Sequence, residues 1–404
     1  MKNSITSSLL LFSLLGATAF LSGCSETAAD ESLVSGSVTG QLVDSYIENI
    51  DYRCGDNAEG ITDTNGTFHC ETLPISFSIS GLKLGSISSL SSDKHVFPQD
   101  LLGVDRKNTS NPNVLAMARF LQSCDEDSDR KNGIKIRAQI KEVFSNEVEF
   151  NAEDIEAYAT DASITLIDED EALVHLNETT KLITSIGEIE KLPSTLKDAL
   201  LTPANSLTQE VKNTLAYMGN EERLAYDVYN YLYTAHAQTG EEIKQLTNIA
   251  NKSEITHIQT VQLLVQKYIS DVNDFTNVTL ENLDSMYVKV EDMPAGNYNI
   301  PAIQDLYDSL IIKGVASKQD ALEVGCMIEV VDINDLAQDI AIAEDSNAGD
   351  VVAAFEFLRD GSYKHYWAFD RGLKNMGVSE GCCTLGNTYC HPEYPQTTQG
   401  KGKH

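Results

Sequence analysis

A chain of 404 residues, 42% of them hydrophobic and 22% charged, has the composition of a globular protein and the length for two or three domains with at least one sizeable core. Its 61 acidic residues against 29 basic ones give a net charge of −32, which repels phosphate backbones and argues against nucleic acid as a partner. The same surplus favours cations, although solubility alone also accounts for it.

After Lys2 comes the apolar run "LLLFSLLGATAFLSGC", too short to span a bilayer and laid out, charge then apolar, as a secretory signal. Its end, Leu21-Ser22-Gly23-Cys24, resembles the lipobox of bacterial lipoproteins. That resemblance implies a signal peptide over residues 1–23 and lipidation of Cys24 as the mature N-terminus. The competing reading is an ordinary signal peptide with a chance cysteine. Ser25 resembles the residue that sorts lipoproteins outward, so the expected location is the cell envelope, lipid-anchored at the outer membrane. No later segment approaches ~18 continuous apolar residues, so the chain is expected to be tethered to a membrane without crossing it.

Residues 24–35, small, acidic and polar, read as a flexible tether. Residues 36–92 show short alternating runs broken by turn residues and read as a small all-β sandwich-like domain, with Asn65-Gly66 as a hairpin signal. Their "G-x-x-x-D…T-D-x-N-G-x-F" layout resembles carboxypeptidase-regulatory-like repeats, which implies a spacer or adhesion role. Export favours disulfides. Cys54 and Cys70 flank the expected hairpin and are paired on that ground.

Residues 93–205 shift to a mixed, largely helical connecting region. Asn111-Pro112 starts a helix that leads to Asp125, Asp127 and Asp129, spaced like oxygen ligands of a calcium loop but lacking its glycine and distal glutamate in register; a solvated acidic turn is the alternative. No role is read for the stretch around residues 147–179.

Residues 206–378 read as four long amphipathic helices, the second over roughly Glu242 to Ile269 and the third capped by Ser317, with a short helix at "IPAIQDLYDSLIIKG". Each long helix carries a carboxylate or imidazole on or beside its apolar stripe: Glu222; Glu254 with His257; Glu329 with Asp332; His365. Singly, these read as a surface acid, a satisfied core histidine or a solvated aspartate. Together they would bury several unpaired charges, a cost that a pair of divalent cations removes, as in di-iron and di-manganese carboxylate bundles.

The motifs "NEERLAYDVYNYLY", "SEITHIQTVQLLVQKY", "ALEVGCMIEVVDINDL" and "GSYKHYWAFDRGL", in this order, resemble the ferritin-like family known as domain of unknown function 2202. The resemblance implies a ferritin-like four-helix bundle in which Glu222, Glu254, His257, Glu329 and His365 ligate two metal ions, iron first and manganese as the alternative. Ser362 stands where the wider ferritin-like pattern has a glutamate. Asp332 is therefore expected as a sixth ligand or as an orienting partner. Tyr226, Tyr229 and Tyr366 lie near these ligands in sequence.

The implied chemistry is ferroxidase or peroxidase-type reaction with dioxygen or peroxide. The alternatives are a lipoprotein that sequesters metal without turnover and a bundle that has lost its site. A closed storage cage is argued against by the lipid anchor and the N-terminal appendage. In the tail, residues 379–404, Cys390 is expected to pair with Cys382 or Cys383, with a small metal site including His391 as the alternative. Cys124 and Cys326 have no evident partner, and Cys326 reads as a buried small hydrophobe.

Overall fold

Alternation along Ile75–Ile79 puts Ile75, Phe77 and Ile79 into a core and Ser76 into solvent, as a half-buried strand requires. A computed structural model describes residues 35–189, 192–268 and 294–396. The expected signal, Cys24, all but the end of the tether and most of the polar insert before Ile300 lie outside them.

The strands are β1 Ser35–Leu42, β2 Ile47–Glu48, β3 Asp51–Arg53, β4 Glu59–Ile61, β5 Thr67–Thr72, β6 Ile75–Ile79, β7 Leu82–Ile87, β8 His95–Val96, β9 Ile134–Lys135 and β10 Val148–Glu149. They form three sheets, in the orders β5-β1-β8, β10-β7-β6-β3-β4 and β2-β9. The β region therefore runs past the expected boundary at residue 92, since β8, β9 and β10 come from the connecting region. The reason is coverage. Met117, Phe120, Leu121, Ile140, Phe144 and Tyr158 share one core with Leu42, Phe68, Ile75 and Phe77, and the small sheets alone could not bury that face.

The Asn65-Gly66 expectation also needs correcting. The turn exists: Gly66 N–H donates to Asp63 O at 2.8 Å, and the Asp63 carboxylate accepts from Asn65 and Thr67 N–H. Its flanking strands do not pair, because β4 pairs with β3 and β5 with β1. A two-residue hairpin of the expected type needs positive φ at both central residues, and here Gly66 has it (φ 66°) while Asn65 does not. Cys54 and Cys70 are disulfide-bonded, Cα atoms 5.5 Å apart.

The connecting helices are α1 Pro98–Leu101, α2 Pro112–Ser123, α3 Ala138–Val143, α4 Ile155–Asp161, α5 Glu169–Glu188 and α6 Ser194–Leu200. Asn111 caps α2 by accepting from Asn113 and Val114 N–H, with Pro112 at the first helical position. Asp127 and Asp129 each accept a backbone N–H two residues on, and Asp125 accepts from Lys135 N–H across the loop. The stretch given no role in the sequence includes most of α5, which packs Leu176 against Val114 and Ala118 and carries Ile186 into the core of the helical half.

That half consists of α7 Gln209–Gln238, α8 Lys244–Ile249, a π-helical turn Ala250–Glu254, α9 Ile255–Tyr268, α10 Pro301–Gly314, α11 Lys318–Asp345 and α12 Gly349–Asn375. Thr208 caps α7 and Ser317 caps α11. A buried Lys267–Asp350 ion pair of 2.6 Å, joined by Tyr268 O–H at 2.6 Å, ties the end of α9 to the start of α12. Among the described residues no helix is long and apolar enough to cross a membrane.

Two apolar clusters fill the helical half. One contains Leu224, Ile258, Ile328 and Tyr366, the other Met218, Val261, Leu336 and Leu358. Between these levels lie Glu222, Asp332 and Ser362, with His257 next to Ile258 at the edge of the first cluster. The tail folds back over α11 and α12, and here Cys326 departs from its expected role: it is disulfide-bonded to Cys382, Cα atoms 5.7 Å apart. A partner 56 residues away is visible only once the tail is docked. Cys390 pairs with Cys383, and Cys124 is a buried free thiol.

Candidate metal centre

The π-helical turn ends at Glu254. Such a turn takes one more residue than an α-turn, so it re-aims the residues that follow it, and π-turns recur at functional sites. The sequence reading had one uninterrupted helix here. Glu254 and His257, three apart, then share the inward face, with relative exposures of 1% each.

The four helices bring their groups into two triads, Glu222–Glu254–His257 and Glu254–Glu329–His365, whose donor atoms lie within 4.8 Å of one another. His257 Nδ1 is 2.9 Å from Glu222 Oε2 and 3.1 Å from Glu254 Oε2. His365 Nδ1 is 3.0 Å from Glu254 Oε1 and 3.4 Å from Glu329 Oε2, out of line for a hydrogen bond with either. Glu254 thus turns one oxygen to each imidazole. The two rings face each other, centroids 5.6 Å apart. Gly361 makes room for the first, since a Cβ there would lie 2.4 Å from His257 Nε2.

Asp332 stands outside both triads. Its Oδ2 accepts the Ser362 hydroxyl at 2.5 Å. Tyr229 donates its hydroxyl to Glu329 Oε1 at 2.5 Å. Tyr226 is buried on the same helix. Tyr366 is turned away, its hydroxyl donating to Tyr389 O and accepting from His391 N–H in the tail.

Burial, reinforced by the charges of Asp332 and Glu254, pushes Glu222 well above the carboxylate range. Burial and Glu329 do the same to Asp332, and burial raises Glu329 to about 7. Glu254 goes the other way: burial is outweighed by the His365 charge and by the closeness of the two imidazoles. Burial lowers His257. His365, where Glu254 and Glu329 outweigh burial, rises to about 10.

The donor set fits divalent cations. Among the described residues no Lys or Arg forms an ion pair with these carboxylates, and Arg223 instead bonds Pro294 O and Asn297 O. Glu222 Oε1, Glu254 Oε1, Asp332 Oδ1 and His365 Nδ1 are buried without a hydrogen-bond partner. Each such orphan costs about 1–3 kcal/mol, more if charged. Four carboxylates offset the charge of two divalent cations with both imidazoles neutral, and mixed carboxylate–imidazole ligation suits iron, manganese or zinc.

A cavity of about 40 Å³ adjoins the centre, enough for one or two water-sized molecules. Glu221, Glu222, Glu254, Glu329 and Asp332 line its polar side, and Leu224, Leu306, Leu310, Val331 and Tyr389 its other walls. Sequence reasoning missed Glu221 and Tyr389. Glu221 is adjacent to a proposed ligand and therefore offset from it around the helix. Tyr389 arrives through the tail.

The model of an uncharacterized protein domain, DUF2202, matches residues 211–388. The uncharacterized protein MJ0754 of Methanocaldococcus jannaschii is 34% identical over 175 residues, 43% of this chain and 81% of the relative. The crystal structure of that hypothetical protein aligns at 34% identity over 43% of this chain and 86% of the other, with a TM-score of 0.36.

Proposed function

We propose that this chain, which belongs to the DUF2202 family, is a lipid-anchored envelope protein whose ferritin-like helices hold a di-metal carboxylate centre, di-iron with manganese as the alternative, that reacts with dioxygen or peroxide. The observation that carries this reading is Glu254, shared by two carboxylate–imidazole triads with one oxygen turned to each ring. Glu222 and His257 would hold one ion, Glu329 and His365 the other, and Glu254 both, with Asp332 beside them. When bound, such a pair supplies electrons and open coordination positions for reducing dioxygen or peroxide.

The remaining contributions come from the chain. Tyr229 orients Glu329 through Oε1, and Ser362 orients Asp332 through Oδ2, leaving Oδ1 without a partner. Gly361 sets the position of the His257 ring. The cavity beside the centre, with apolar side chains on its other walls, has space for a small molecule such as dioxygen or peroxide. Placement in the envelope rests on the "LSGC" stretch and is supported by three disulfides, which persist in oxidising compartments.

The test is anaerobic loading of the purified protein with Fe(II), then exposure to oxygen or peroxide while absorbance is followed. Oxidation much faster than in buffer, lost in Glu254→Ala and His257→Ala, is the expected result. Iron retained without oxidation would make the protein a sequestering one.

A further inference from the structure

On α11, Asp332, Asp335 and Asp339 follow one another at spacings of three and four, so they share one face. On α7, Glu210, Tyr217 and Glu221 share a face in the same way. The two faces meet. The carboxyl groups of Glu221 and Asp335 are within hydrogen-bonding reach of each other, Asp339 lies near Asp335 and Glu210, and Tyr217 lies among Glu221, Asp335 and Asp339. Burial deepens along this file: Glu210 is exposed, Asp339 and Asp335 are partly buried, and Glu221 is 6% exposed.

Glu221 is the informative member. Its Oε2 is buried and receives no hydrogen bond, and the groups facing it, Asp332 and Asp335, are themselves carboxyls. It lines the same cavity as Glu222, Glu254, Glu329 and Asp332, whose remaining walls are mostly apolar. A buried carboxylate among like charges lowers stability, so packing gives no reason for it. A hard divalent cation needs oxygen ligands to replace its waters one after another, and only this side of the cavity offers them.

We propose that Glu210, Asp339, Asp335 and Glu221 form the uptake path along which divalent cations move from solvent to the centre, exchanging their waters for carboxylate oxygens on the way. The proposal rests on the reading of that centre as a divalent-cation site. Glu221 is the last transfer station, handing the ion to Asp332 and Glu222. Negative potential from such a file of acids raises cation association rates by about 10–10³-fold and weakens with salt.

The test is stopped-flow binding of Co(II), followed by its absorbance, to the full-length protein and to Glu221→Gln, Asp339→Asn and the double variant. The expected result is parental stoichiometry at equilibrium, association slowed about tenfold in the double variant with a shallower salt dependence, and thermal stability equal to or above the parent. Asp339→Asn, at a partly exposed position, keeps the test sound if the buried variant folds poorly. Parental association rates in all three variants would overturn the path and leave the centre standing. A parent that takes up no Co(II) would overturn the centre and the path with it.

Discussion

Gly361→Ala is a small change with a large expected effect. In an ordinary helix it adds about 0.5–1 kcal/mol of stability, because glycine is the more costly residue there. In this protein the new Cβ would lie 2.4 Å from His257 Nε2 and 2.5 Å from Cε1, where an ordinary contact is about 3.4 Å or more, so the ring must move by about 1 Å. It has little freedom to do so. Phe357 packs edge-on at 5.7 Å, His365 faces it at 5.6 Å, and Nδ1 is held between Glu222 and Glu254.

Overpacking of this kind costs about 1–3 kcal/mol, so after the helical gain a net loss of about 1–2 kcal/mol is expected. Shifting Nδ1 out of its triad should also weaken metal binding by about 10–100-fold, as loss of an orienting partner does. Urea unfolding and Co(II) titration measure the two effects. Gly349→Ala is the control, since a Cβ there meets nothing within 4 Å. A Gly361→Ala protein as stable as the control variant, with undiminished affinity, would refute the close-approach argument.

Replacing Cys326 and Cys382 together by Ala should cost about 4 kcal/mol on the chain-entropy model for a separation of 56 residues, read as a lower unfolding midpoint under non-reducing conditions. Metal affinity should depend on pH. Because His365 is raised to about 10, a cation must displace its proton throughout the neutral range, and Glu222 and Asp332, also raised, add to the effect, so apparent affinity rises at least tenfold per pH unit from about 7.5 to 9. Below about 7 Glu329 also binds a proton, and the slope steepens. A flat profile would contradict ligation by His365 and the raised carboxylates together. Cys24→Ala should move the protein out of the membrane fraction, and unchanged fractionation would end the lipid-anchor reading.

The sequence was most legible where one period repeats over many residues. The long helices and their inward acids show in this way, because apolar positions at spacings of three and four fix a face and anything polar on it stands out. The π-helical turn before Glu254 was not legible, since one inserted residue changes the phase of a helix without changing its composition. The partner of Cys326 and the position of Tyr389 depend on how the tail docks, and local pattern carries no such information. The β region was read short because β8, β9 and β10 are two-residue strands, recruited by sheets whose edges they cover. Glu221 needed the register of α11 against α7, in which Asp335 comes to face it.

The central claim is that Glu254 serves two metal positions at once, and a metal count tests it most directly. The full-length protein, loaded with Fe(II) or Mn(II) under anaerobic conditions and freed of excess ion, is measured by elemental analysis beside Glu254→Gln. Two ions per chain in the parent and loss of both in the variant are predicted. A single ion in the parent, or two ions still held by Glu254→Gln with its fold intact, would contradict it.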